Sequence, residues 1–101
     1  MLNSKQRAYL RSLANTIDTI LIVGKGGIDA DVLKQADDAL TARELIKGKV
    51  LETSTVKARE TADRIASETR SETVQVIGSK FVLYRRNDKE PKIVLPKERK
   101  K

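Results

Sequence analysis

Residues 19–27 read Thr19-Ile20-Leu21-Ile22-Val23-Gly24-Lys25-Gly26-Gly27. The first five are apolar or β-branched and uninterrupted, which suits a short buried strand. The three glycines that follow strip side-chain bulk, permit positive φ and leave amide N–H groups bare, and Lys25 adds a positive charge. Asp29 or Asp31 then opens a helix whose apolar positions Val32, Leu33, Ala36, Ala39 and Leu40 keep helical spacing to about Ala42. Strand, glycine loop and helix form the first half of a βαβ unit. The loop has the composition of a phosphate-contacting turn, although a strand-to-helix turn can also carry glycine for geometry alone.

Working outward, Glu44 to Leu51 supplies the second strand, with Ile46, Gly48 and Val50 on one face and Lys47 and Lys49 on the other, either an exposed sheet face or an edge. Upstream, residues 4–15 predict a helix capped by Ser4, with Leu10, Leu13, Ala14 and Ile17 as its apolar stripe and Lys5, Arg7 and Arg11 facing outward. Downstream, Ser54 or Thr55 is expected to cap a third helix that turns Val56, Ala62, Ile65 and Ala66 inward and a charge-balanced face outward. Residues 73–77 and 80–85 read as two strands, and Gly78-Ser79 between them suits a type II′ hairpin. The expected fold is therefore α/β, a two-layer arrangement of a four-stranded mixed sheet and three helices in the order α-β-α-β-α-β-β. Residues 1–86 make the domain. Residues 87–101 are expected to be a basic C-terminal tail, partly disordered, with Ile93-Val94-Leu95 docking weakly.

The chain has no cysteine and no histidine in 101 residues, which removes thiol nucleophiles, Ser-His-Asp triads and the usual zinc and iron–sulfur ligand sets. No apolar run approaches the roughly 20 residues that span a bilayer, and the first ten residues lack the apolar block of a signal peptide, so a cytoplasmic protein is expected. The net charge of +7 is unevenly spread: residues 1–28 carry +3, residues 29–79 carry −2 and residues 80–101 carry +6. Such a distribution favours an anionic partner met by a surface that both ends of the chain build. Three aromatic residues are too few for a site that stacks several bases, so recognition should rest on phosphates and shape.

Two nucleotide-binding readings of the loop fail. A Walker motif needs G-x-x-x-x-G-K-[ST], whereas Lys25 comes too early and Gly26 follows it; a G-x-G-x-x-G fingerprint needs a small residue where Asp29 stands. Asp29 and Asp31 would moreover satisfy the helix amides themselves and repel an anion seated there. A shallower contact survives, in which Gly26 and Gly27 touch a nucleic-acid backbone and Lys25 pairs with a phosphate, as in the GXXG clamp of KH domains, where the loop instead joins two helices. The carboxylates Asp37, Asp38, Glu60 and Asp63 read as solvated helix faces, so no enzymatic activity is expected.

The series Leu13-Ala14, Val23 to Gly27, Glu44-Leu45-Ile46-Lys47, Lys49-Val50, Val74 to Gly78 and Leu83-Tyr84-Arg85 resembles the YhbY family, stand-alone bacterial versions of the CRM domain named for chloroplast RNA splicing and ribosome maturation. The resemblance covers about residues 2–86. It implies an RNA-binding protein of large-subunit ribosomal precursors, with a fold similar to the C-terminal domain of translation initiation factor three. It also implies that the family's GxxG loop falls on Gly24, Lys25, Gly26 and Gly27, and that its basic surface includes Arg7 and Arg11. Ser79 stands where the family usually has Arg or Lys, with the charge one place later at Lys80, and a one-residue shift in a hairpin moves a side chain to the other face. Thr19 and Ile22 also stand where proline and a polar residue are common.

The candidate RNA-contacting set is thus Gly24, Lys25, Gly26, Gly27, Arg7, Arg11, Lys5, Lys80 and Arg85. No cofactor or metal is expected, and the chain is expected to act as a monomer that contacts ribosomal RNA during large-subunit assembly. The competing expectation is a protein-interaction module that docks on a ribosomal protein or an assembly GTPase, its basic charge serving solubility.

Overall fold

The computed structural model describes residues 2–24, 26–52, 57–87, 89, 93 and 95. Helix α1 (Ser4–Ala14) is followed by β1 (Thr19–Val23), α2 (Ala30–Arg43), β2 (Leu45–Val50), α3 (Ala58–Thr69), β3 (Glu72–Ile77) and β4 (Lys80–Tyr84), the element order expected from the sequence. The sheet runs β1-β2-β4-β3, with β1 parallel to β2 and β4 antiparallel to both its neighbours. Gly78 has φ 59° and Ser79 stays out of the left-handed region, as a type II′ hairpin requires.

Caps set the helix boundaries. Asn3, one residue before the expected Ser4, caps α1 and forms a reciprocal capping box with Gln6: Asn3 Oδ1 accepts from Gln6 N at 2.8 Å and Gln6 Oε1 accepts from Asn3 N at 3.1 Å. Asp29 caps α2 through a 2.9 Å bond from Val32 N. Lys57 stands at the N-cap of α3 and makes no side-chain cap, so this helix starts later than expected; Ser54, Thr55 and Val56 lie outside the described residues.

The sheet has two differently covered faces. On one, α2 and α3 bury Val32, Ala36, Leu40, Ala62 and Ile65 against Leu21, Val23, Ile46, Phe81 and Leu83. On the other, α1 packs Leu10 and Ala14 against Leu45, Val74, Val82 and Tyr84. The two-layer expectation gains a partial third layer, because α1 lies across the sheet from its sister helices. Being 11 residues long, it covers only the end of the face nearest Tyr84. The strand β1 is correspondingly half-covered: Leu21 and Val23 are buried, while Ile20 and Ile22 are exposed on an edge strand where the sequence suggested full burial.

Candidate nucleic-acid interface

The glycine loop leaves the sheet where β1 ends. Gly27 N donates to Gly24 O at 2.9 Å, closing a four-residue turn, and Gly27 takes φ 71°, a conformation that side-chain-bearing residues rarely adopt. Gly26 is exposed. A Cβ there would meet only Asp29 Oδ2, at 3.9 Å, so glycine at 26 is not required by crowding within the protein. Lys25, the charged member of the loop in the sequence reading, lies outside the described residues.

Backbone bonds bring three connections to this same end of the sheet. Leu51 N donates to Val23 O at 2.9 Å and Val50 N donates to Ser79 O at 2.8 Å, so the glycine loop, the segment after β2 and the β3–β4 hairpin turn are neighbours. The last row of side chains beneath them crosses all four strands: Ile22 is registered with Lys49, Lys49 with Lys80, and Lys80 with Ile77. All four point to the α1 side, since Leu21, Gly48, Phe81 and Val76 next to them face the α2–α3 core. Lys47 lies one step inward on β2, beside Ala14 and Asn15 at the end of α1.

None of Lys47, Lys49 and Lys80 forms an ion pair among the described residues. Lys49 and Lys80 stand directly opposite one another on antiparallel strands, an arrangement that costs free energy by like-charge repulsion. β2 is a central strand, which settles the two readings of its lysines in favour of an exposed face over an edge.

The other candidate residues are placed differently. Arg7 donates from Nη1 to Thr73 O at 2.7 Å and lies 3.7 Å from Glu72 Oε1, so it ties α1 to β3. Thr73 and Ile77 are separated by four steps of strand, roughly 13 Å, which puts Arg7 at the far end of the sheet from Lys80. Lys5 and Arg11 are exposed on α1. Arg85 faces the interior edge of α2 and α3: its guanidinium donates to Asp37 Oδ1 at 2.6 Å, Thr69 O at 2.8 Å, Asp37 O at 3.0 Å and Thr41 Oγ1 at 2.7 Å. This clamp commits the Arg85 guanidinium to partners within the protein. The sequence reading also left Lys47, Lys49, Ile22 and Ile77 out of the set, although alternation along β2 had already put the two lysines on one face.

On the same face of the sheet, α1, β1 and Ile93 line a groove of about 270 Å³, formed by Leu13, Ile17, Ile20, Leu45 and Ile93 together with Thr16, Asp18 and Arg43. Among the described residues no group of His, Cys, Asp or Glu is arranged to hold a metal ion, and no helix is long and apolar enough to cross a membrane.

Comparison with known proteins adds a family. The family model of the CRS1 / YhbY (CRM) domain matches residues 2–85. A Bacillus subtilis protein named "Probable RNA-binding protein YqeI" is 41% identical over 96 residues, covering 95% of this chain and all of its own. A Haemophilus influenzae protein named "RNA-binding protein" is 35% identical over 97 residues, covering 96% of this chain and 97% of its own. The solution structure of a Staphylococcus aureus protein superposes with a TM-score of 0.79 at 50% identity, covering 95% of this chain and the whole of that one.

Proposed function

The chain belongs to the CRS1 / YhbY (CRM) domain family, and on that footing we propose that it binds RNA, its target being ribosomal RNA in precursors of the large subunit. It acts in the cytoplasm as a monomeric assembly factor that holds an RNA segment in a foldable geometry. The observation that supports this reading most is that the glycine loop and Lys80 lie together at one end of the sheet, with no acidic partner for Lys80 among the described residues. Exposed backbone at Gly26 and unpaired ammonium groups suit a phosphate backbone, whereas the Gly27 amide is already committed to Gly24 O. Lys25 and Arg11 extend the same surface in this proposal, while Lys5 lies with Arg7 at the other end of α1, beside Glu72. Catalysis has no part in it: Asp37, Asp38 and Asp63 are held by Arg85, Lys34 and Arg59 on exposed helix faces. Crosslinking in cells followed by sequencing of the attached RNA tests the target. Recovery of large-subunit precursor sequences is expected, and their absence from a well-crosslinked sample overturns the assignment.

A second reading rests on the groove between α1 and β1, whose shape and lining suit a protein side chain. In that case the domain docks on a ribosomal protein or an assembly GTPase. Sedimentation with ribosomal particles after nuclease removal of exposed RNA separates the two: an RNA-held factor leaves the particles and a protein-docked one stays.

A further inference from the structure

We propose that the four-strand row Ile22–Lys49–Lys80–Ile77 is a second contact surface for RNA, continuous with the glycine loop, on which the lysine pair holds backbone phosphate and the two isoleucines lie against the sugars and unpaired bases on either side. This inference rests on the RNA-binding reading and adds to it a specific floor and a preference for single-stranded RNA.

Three observations carry it. The first is charge: Lys49 and Lys80 are paired across the strands like with like, Lys47 follows two residues away, and none of the three has an acidic partner among the described residues. An anion between them converts that repulsion into attraction. The second is the unusual exposure of large apolar side chains at the same place. Ile77 is 64% and Ile22 47% exposed, the highest values of any large hydrophobic residue described, and Leu51, at 37%, lies beside Gly24. Scattered singly such residues would need no explanation, but these flank one cationic pair. The third is continuity and size. Ile22 precedes Gly24 by two residues, and four strands span about 14 Å, room for a short run of nucleotides. An isoleucine flank reaches a base face only where the base is unpaired, since side chains cannot read the deep major groove of an RNA duplex.

The test uses the full chain, a mixed-sequence single-stranded RNA of 20 nucleotides carrying a fluorophore, and anisotropy titrations between 50 and 300 mM KCl. Wild-type binding should weaken steeply with salt. The variant K49Q/K80Q should bind more weakly and lose about 0.7 from the magnitude of the log K against log salt slope, the share of the one phosphate held between the pair. I22T/I77T, which keeps β-branched side chains in the strands, should lose roughly tenfold in affinity at an unchanged slope, because only apolar contact is removed. Circular dichroism melting verifies that both variants are folded before they are titrated. Wild-type affinity and slope in K49Q/K80Q, or wild-type affinity in I22T/I77T, overturns the row while leaving the RNA reading intact. A wild type that binds no RNA overturns both.

Discussion

Gly48 lies directly beneath the ring of Phe81, its cross-strand partner: a Cβ built at 48 would come within 2.3 Å of Phe81 Cζ and 2.5 Å of Cε1. Phe81 is buried in the α2–α3 core, so a shift of its ring disturbs the packing there. Gly48→Ala is therefore expected to cost about 3 kcal/mol, at the upper end of overpacking penalties, and to lower Tm by roughly 15 °C. Urea and thermal unfolding measure this. Adding Phe81→Leu should recover part of the loss, and a G48A protein as stable as wild type would show that the ring can yield.

Arg85 joins α2, the end of α3 and β4 through four hydrogen bonds. Arg85→Ala strands the half-buried Thr69 carbonyl at the end of α3 and should destabilise the fold by about 2 kcal/mol, allowing for the partial exposure of the site. Arg85→Lys should recover less than half, because one ammonium cannot span a fork of acceptors. RNA affinity of either variant, measured well below its Tm, should stay near wild type. A selective loss of binding in a folded protein would return Arg85 to the interface.

Glu44 is fully buried, has φ 66°, and its carboxylate accepts from Asn87 N at 2.6 Å and Ile93 N at 2.7 Å. It fastens the segment after β4 back onto the turn between α2 and β2. Glu44→Ala leaves two half-buried amides without their acceptor and should cost about 2 kcal/mol. Limited proteolysis should then cut between residues 87 and 95 much faster than in wild type, whereas equal cleavage rates would mean that the anchor contributes nothing there.

The loop glycines should separate into two kinds. Gly27→Ala forces a side chain into φ 71° and should cost roughly 1 kcal/mol although nothing lies within 4 Å. Gly26→Glu places charge on an exposed, uncrowded position, so Tm should hold while RNA affinity falls several-fold. Unchanged binding in G26E would reduce the loop to a turn.

Relieving the cross-strand repulsion should be visible in the free protein. Lys80→Gln is expected to raise stability by a few tenths of a kcal/mol at low salt, with the gain shrinking as salt screens the pair. Differential scanning calorimetry at two ionic strengths checks it, and destabilisation at low salt would mean that the ammonium has an anionic partner within the chain.

The βαβ start and the hairpin were legible because each is written locally: a β-branched run, a glycine turn and an aspartate cap in the first, Gly78-Ser79 between two apolar runs in the second. The alternation of β2 likewise showed which side Lys47 and Lys49 take. What could not be read is register between segments far apart in the chain. The pairing of Lys49 with Lys80 joins residues 31 positions apart and depends on β4 entering between β2 and β3. Arg85 belongs to the candidate set through the basic charge of the last strand, and nothing local signals that Asp37, Thr41 and Thr69 converge on it. The exposure of Ile22 was missed for a related reason, since it follows from how little of the sheet α1 covers.

The strand order has a consequence for biosynthesis. Because β4, the last strand made, fills the gap between β2 and β3, the inner edge of β2 stays open from the time Val50 emerges until residues 80–84 have been added. At about 5–20 residues per second this interval is roughly two to seven seconds. Throughout it β2 can pair with β1, but its inner edge keeps free backbone donors and acceptors with no native partner yet made. The sheet can close only once residues 80–84 have been made, and a chain terminated before Lys80 should emerge as an aggregating fragment, with no smaller version of the domain available to it.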